Sequence, residues 1–193
     1  MSDTYRDFNH LRTHEHENTD FTIEVRRVPN ARVVVVAPHA GGIELKTGPL
    51  AAQIAGADFS LYRFTGIKPG GGNKILHITS HRFDEPQCLD LIKDHEIVVT
   101  VHGCEGEGEA VYLGGLDACT KSALATALKQ ASIATVVSGH SFPGEEKLNI
   151  CNRGATSAGV QFELTQELRT GPNAAQFVQV VREVLTRIAR TQG

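Results

Sequence analysis

The stretch ARVVVVAPHAGG, residues 31–42, constrains the fold more than any other segment of the chain. A strand with one wet face alternates apolar and polar residues. Four successive valines bounded by turn residues do not alternate, and they predict a strand buried on both faces, as at the centre of a parallel sheet covered by helices. The apolar run is read as ending at Pro38 and the two glycines that follow. TIEVRRV, residues 22–28, alternates like an edge strand, and further strands are predicted over 60–64, 75–78, 96–102, 110–115, 133–138 and 160–164. Helices are predicted over 45–57 and 86–94, over 117–131 with Asp117 as its cap, and over 173–191. In the last of these Phe177, Val180, Val181, Val184, Leu185 and Ile188 recur at helical spacing. Strands alternating with helices make this an α/β protein: a single-domain open, mostly parallel or mixed twisted sheet flanked by helices.

Residues 1–20 are polar, show no periodicity and contain the cluster THEHEN, so they read as a solvated arm ahead of a domain spanning 21–193. No signal core and no apolar stretch of membrane-spanning length occurs, which leads to the expectation of cytoplasmic synthesis without a signal peptide and no membrane partner. With 193 residues, 40% of them hydrophobic, the chain can bury a substantial core, and a net charge of −3 without any Lys/Arg run excludes a general nucleic-acid binder. Cys88, Cys104, Cys119 and Cys151 form no CxxC pair and are expected to be reduced. GGG at 70–72 lacks the continuation of a phosphate loop, and GHS at 139–141 is not a nucleophile elbow.

Sites in open α/β sheets form at the carboxyl ends of strands. His39 follows the valine run, His102 ends VVTVH, and Glu163 lies in VQFEL on the face opposite Val160, Phe162 and Leu164. Glu44 follows His39 across the small-residue turn AGGI. Two histidines and a carboxylate are a frequent catalytic zinc set that leaves a position for water, and a free carboxylate beside that water serves as base. A lone strand-end histidine is more often a hydrogen-bonding or surface residue, and the chain has seven other histidines from which triads could be assembled.

The ordered stretches APHAGGIE, HITSHRFDEP, VVTVHG, NICNRG and GVQFELTQELR resemble the phage-type poly-γ-glutamate hydrolase family, across about residues 21–190. The resemblance implies a zinc carboxypeptidase-like fold with one Zn²⁺ per chain, held by His39, Glu44 and His102, with Glu163 as general base. The spacing HxxxxE departs from the HxxE of carboxypeptidases, so the match is to the phage-type family. Asn152 and Arg153 are similar to the carboxypeptidase pair that grips a substrate carboxylate, and Arg169 and Arg82 are further candidates for substrate contact. The implied activity is hydrolysis of γ-glutamyl amides in poly-γ-glutamate, and the chain is expected to act as a monomer. The alternatives are a small N-acyl-glutamate or N-formyl-amino-acid amidohydrolase, or a non-catalytic protein that binds anionic polymer. The acidic stretch CEGEGE, 104–109, is expected to be a loop near the cleft without a substrate contact, and His140 is a further candidate for the site.

Overall fold

The computed structural model describes residues 3–191. Seven strands form one mixed sheet: β1 (Phe21–Arg26), β2 (Val33–Gly41), β3 (Ser60–Gly66), β4 (Ile97–Cys104), β5 (Ala110–Gly114), β6 (Ala134–Val136) and β7 (Val160–Thr165), in the order β1-β3-β2-β4-β7-β5-β6. The central strands β3, β2, β4 and β7 run parallel, while β1 and β5 pair antiparallel with β3 and β7. Val33 to Val36 are fully buried between β3 and β4, as an unalternating valine run requires.

Among the described residues six helices accompany the strands: α1 (Phe8–Leu11), α2 (Thr47–Ala55), α3 (Pro86–Ile92), α4 (Ala118–Gln130), α5 (Gln166–Thr170) and α6 (Ala174–Thr191). Asp117 caps α4 by accepting the Thr120 N–H, and Glu85 caps α3 by accepting from Gln87 and Cys88. On one sheet face Val33, Val35, Val99, Val101, Val160 and Phe162 pack with residues of α2, α4 and α6, among them Ile54, Leu124, Phe177 and Val181. On the other face Val34, Val36 and Val98 meet Phe64, Phe83, Leu91 and Ile92.

Tyr5, Phe8 and Leu11 complete that second core at 7%, 6% and 0% exposure, which corrects the reading of residues 1–20 as a solvated arm. The segment is polar in composition, yet it places an apolar residue at every third position and docks those three. Glu15 of the THEHEN cluster is also buried, accepting from the Tyr5 hydroxyl (2.5 Å) and paired with Lys68. The strand expected over 75–78 is instead a 3₁₀ turn, Asn73–Leu76, followed by extended backbone. β3, the strand before it in the chain, already has β1 and β2 as neighbours, so the segment cannot pair with it. All four cysteines are unpaired.

β2 does not stop at Pro38. Between Ala37 and Ala40 it advances three residues while β3 advances two, from Arg63 to Thr65, which makes a bulge. Proline has no N–H to give to a ladder, and a bulge is where a strand can hold one. The extra residue reverses the alternation: Val33, Val35 and Ala37 face the α2/α6 core, and so does Ala40. His39 is thereby released to the other face. His102, in phase with Val98, and Glu163, out of phase with Phe162, lie on that same face.

Candidate metal centre and cleft

Because β2, β4 and β7 are parallel, their carboxyl ends bring His39, His102 and Glu163 together, and the register pairs His102 directly with Glu163. Glu44 returns to His39 through a tight turn in which the Glu44 N–H donates to the His39 carbonyl (2.9 Å). Gly41 allows that turn. Its φ is +70°, and a Cβ there would lie 2.4 Å from the Gly66 carbonyl oxygen.

The hydrogen bonds fix the chemistry of this group. His39 Nε2 lies 2.9 Å from the Ile78 carbonyl oxygen, which can only accept, so Nε2 carries a proton. In the neutral ring Nδ1 is then a bare lone pair. It faces Glu44 Oε1 at 2.9 Å and His102 Nδ1 at 3.1 Å. Glu44 Oε2 accepts the Gly103 N–H at 2.7 Å, which holds the carboxylate in place. His39 and His102 are each 1% exposed, so the three groups meet away from bulk water. With His39 protonated, its Nδ1–H donates to Glu44 as an ion pair; a metal ion would displace that proton and take the freed lone pair. Two ligands of one tetrahedral zinc stand about 3.3 Å apart, given metal–ligand distances near 2.0–2.1 Å. The donor set therefore fits a zinc ion, with both second-side contacts of His39 and Glu44 supplied by backbone.

Protonation of His39 and ligation by it compete for the same lone pair. Burial drives the His102 pKa down to about 3, helped by neighbouring His39, so its ring is neutral and ready to ligate. Burial opposes charge on His39 and Glu44 too, but each holds the other ionised: His39 is raised and Glu44 lowered from their ordinary values. Glu163, 8% exposed, is pushed well above the carboxylate range by burial and by the charge of Glu44, with Arg169 opposing.

His77 was not singled out in the sequence. Its ring centroid lies 4.1 Å from that of His39, its Nε2 is 3.9 Å from Glu44 Oε1, and His39, Glu44 and His77 each offer a ligand atom within 4.8 Å of the others. Asp3 orients it: one carboxylate oxygen accepts from His77 Nδ1 (2.8 Å) and the other from the Thr79 N–H (2.8 Å). The N-terminal segment thus reaches the site. The only sequence signal was the position of His77 within HITSHRFDEP, since a contact across so long a stretch of chain leaves no local pattern.

A cleft of about 970 Å³ opens on this group, lined among others by Asp3, Glu44, Lys74, His77, Cys104 and Arg169. Thr165 ends β7 and caps α5, which carries Arg169 back over the strand ends. Arg169 is 9% exposed, its Nε donates to the Leu164 carbonyl (3.1 Å) and Nη1 to the Leu45 carbonyl, and among the described residues it has no carboxylate salt-bridge partner. Gly103 makes room for it, because a Cβ there would sit 2.6 Å from Arg169 Cζ. Arg82 is exposed on the loop that follows Ser80, whose hydroxyl lies 3.5 Å from His102 Nε2.

Asn152 and Arg153 are not brought to this cleft. Asn152 gives both amide hydrogens to backbone, to the Gly144 (2.8 Å) and Glu146 (3.0 Å) carbonyls, and its oxygen accepts the Leu116 and Gly159 N–H groups (3.1 Å each). Nothing is left for a substrate carboxylate, so the expected gripping role is replaced by a clamp on three loops. Arg153 follows on the same 3₁₀ turn, Ile150–Arg153, and the next residue, Gly154, packs on His95 and Val98 at the opposite end of β4 from His102. His140 spends both ring nitrogens on backbone, at the Leu113 carbonyl and the Phe142 N–H. Glu105 and Gly106 of the acidic loop do line the cleft. Burial lifts the thiols of Cys104 and Cys151 to about 12, so neither is a nucleophile near neutral pH.

Residues 5–178 match the family model described as poly-γ-glutamate hydrolase. YndL, a UPF0714 protein of Bacillus subtilis, is 33% identical over 86% of this chain and 66% of its own length. The prophage-derived UPF0714 protein YoqZ of the same species is 34% identical over 87% of this chain and 61% of its own. The chain thus spans somewhat under two thirds of the length of these relatives. Among solved structures, a bacteriophage poly-γ-glutamate hydrolase superposes with a TM-score of 0.92 at 28% identity, covering 97% of this chain and 98% of that one. A zinc-free apo form of YndL gives 0.86 at 28% identity, covering 97% and 99%. An N-formylglutamate amidohydrolase from Ralstonia eutropha shares the fold alone, at a TM-score of 0.55 and 10% identity over 89% and 97%.

Proposed function

The chain belongs to the poly-γ-glutamate hydrolase family, and from that premise we propose that it is a zinc-dependent hydrolase that cuts γ-glutamyl amide bonds of poly-γ-glutamate into short oligomers. The observation that carries this reading is the approach of Glu44 Oε1 and His102 Nδ1 to His39 Nδ1, at 2.9 and 3.1 Å, with the far ring nitrogen of His39 held by the Ile78 carbonyl. These residues would hold the metal, with His77 beside them. A zinc ion there would acidify a water towards a pKa of about 7 and polarise the scissile carbonyl. The similarity to YndL, described in a zinc-free form, supports zinc as the ion.

Glu163 does the proton work. Its Oε1 accepts from Gln161 (3.1 Å), which leaves Oε2 to take a proton from the attacking water and pass it to the departing amide nitrogen. Burial first, and the Glu44 charge second, hold Glu163 above the carboxylate range; a cation among the ligands would offset the second of these and favour the ionised base. Arg169 offers a fixed, desolvated guanidinium to a substrate carboxylate or to the carbonyl oxygen. Arg169→Lys is expected to lower kcat/KM on the polymer about tenfold or more with metal content intact, because an ammonium cannot keep two carbonyl bonds and present a fork. Equal kcat/KM would remove Arg169 from substrate contact.

Product sizing on purified poly-γ-glutamate, with native, chelator-treated and zinc-restored protein, tests the reading. Oligomers that vanish with chelator and return with zinc are expected. Zinc-loaded protein that leaves the polymer intact but hydrolyses N-formyl- or N-acyl-glutamate would discard the polymer and keep the centre.

A further inference from the structure

We propose that Gln161 and Asn149 are positioning residues that set the orientation of the Glu163 carboxylate through a one-way chain of amide hydrogen bonds; this rests on the role of Glu163 above. The three side chains are 4%, 4% and 8% exposed and bond only to each other and to backbone. Asn149 caps the 3₁₀ turn Ile150–Arg153, its Oδ1 accepting the Cys151 N–H at 3.1 Å.

That backbone donor decides everything downstream. Since Cys151 N–H can only donate, the Asn149 atom facing it is the oxygen, and the atom facing Gln161 is the NH₂. The Gln161 atom 2.9 Å away must then be its oxygen, which turns its NH₂ towards Glu163 Oε1 at 3.1 Å. A donor is thus delivered to one chosen carboxylate oxygen, and the other is reserved for the reaction. Residues 161 and 163 stand on one face of β7, and the Gly144 loop backs the Gln161 amide, with a Cβ position 3.3 Å from its Cδ. The proposal also gives Asn149, of the NICNRG stretch, a task at the site that Asn152 and Arg153 do not perform.

Gln161→Met keeps the volume and removes the donor. It is expected to lower kcat on poly-γ-glutamate about 10- to 100-fold, the range for a hydrogen bond to a charged group, with KM unchanged because no substrate contact is lost. Asn149→Asp still accepts from Cys151 but no longer donates, so the Gln161 amide turns its oxygen towards Glu163. The same loss in kcat at constant KM is expected, with no further loss when Asn149→Asp is added to Gln161→Met. In a Glu163→Gln background Gln161→Met should cost little more. Metal-free wild-type protein provides a readout independent of activity and of variant folding. One Gln161 side-chain amide proton should resonate downfield in a ¹⁵N correlation spectrum and move upfield in metal-free Glu163→Leu, which has no acceptor for it. Additive losses, a KM change in place of a kcat change, or a Gln161 amide signal indifferent to Glu163→Leu would overturn the proposal. An active, metal-loaded Glu163→Gln enzyme would instead overturn the role of Glu163 on which it rests.

Discussion

Glu163→Gln is expected to retain its metal and lose about 10²- to 10⁴-fold in kcat, the usual worth of a positioned general base. The substitution is close to isosteric and keeps an oxygen for the Gln161 amide, so the fold and the ligands are undisturbed. What it removes is the carboxylate that the ladder places directly beside His102. The same variant has a second signature in metal-free protein. The folded-state pKa of Glu163 is raised, so its stabilising share is complete below the unfolded carboxyl pKa and is lost as pH rises through the folded value. Thermal unfolding should therefore show Glu163→Gln gaining on wild type as the pH is raised. A gap that does not change with pH would mean that Glu163 is already ionised in the empty site, and full activity in the loaded variant would remove it from the base role.

Deleting residues 1–20 is expected to abolish cooperative folding or to lower Tm by well over 10 °C. Tyr5, Phe8 and Leu11 lie in the core on the site face with Phe21, Phe64 and Phe83. Truncating one buried Phe or Leu costs about 2–5 kcal/mol, against a total of about 5–15 kcal/mol for a typical domain. Phe8→Ala alone should lower Tm by about 10 °C, taking 2–4 °C per kcal/mol at this size. Circular dichroism melts check both. A chain starting at Phe21 with the Tm of the full chain would restore the picture of a solvated arm. Asp3→Ala isolates the functional part of the segment: His77 loses the acceptor that orients it, while Tyr5, Phe8 and Leu11 stay in place.

The parallel core was legible because its signal is local: a valine run at 33–36 and a strand-end residue in each of β2, β4 and β7. So was the approach of His102 to His39, because parallel strands must bring their carboxyl ends together. The bulge at Pro38 was not foreseen, although without it His39 would face the α2/α6 core. The N-terminal segment was misread because three apolar residues at positions 5, 8 and 11 are outnumbered by polar neighbours, and docking depends on those three alone. His77 and Asp3 meet only in space. Asn152 carried the right chemistry for a carboxylate, but its place was settled by which backbone groups needed partners, and two carbonyls and two N–H groups took all its capacity.

Titrating metal-stripped protein with zinc while following release of oligomers from poly-γ-glutamate tests the central claim most directly. Turnover is expected to rise linearly and break at about one equivalent per chain, the stoichiometry of a single catalytic site, with His102→Ala showing neither the rise nor the break. Turnover by the stripped protein that zinc does not change, or a His102→Ala titration superimposing on wild type, would contradict it.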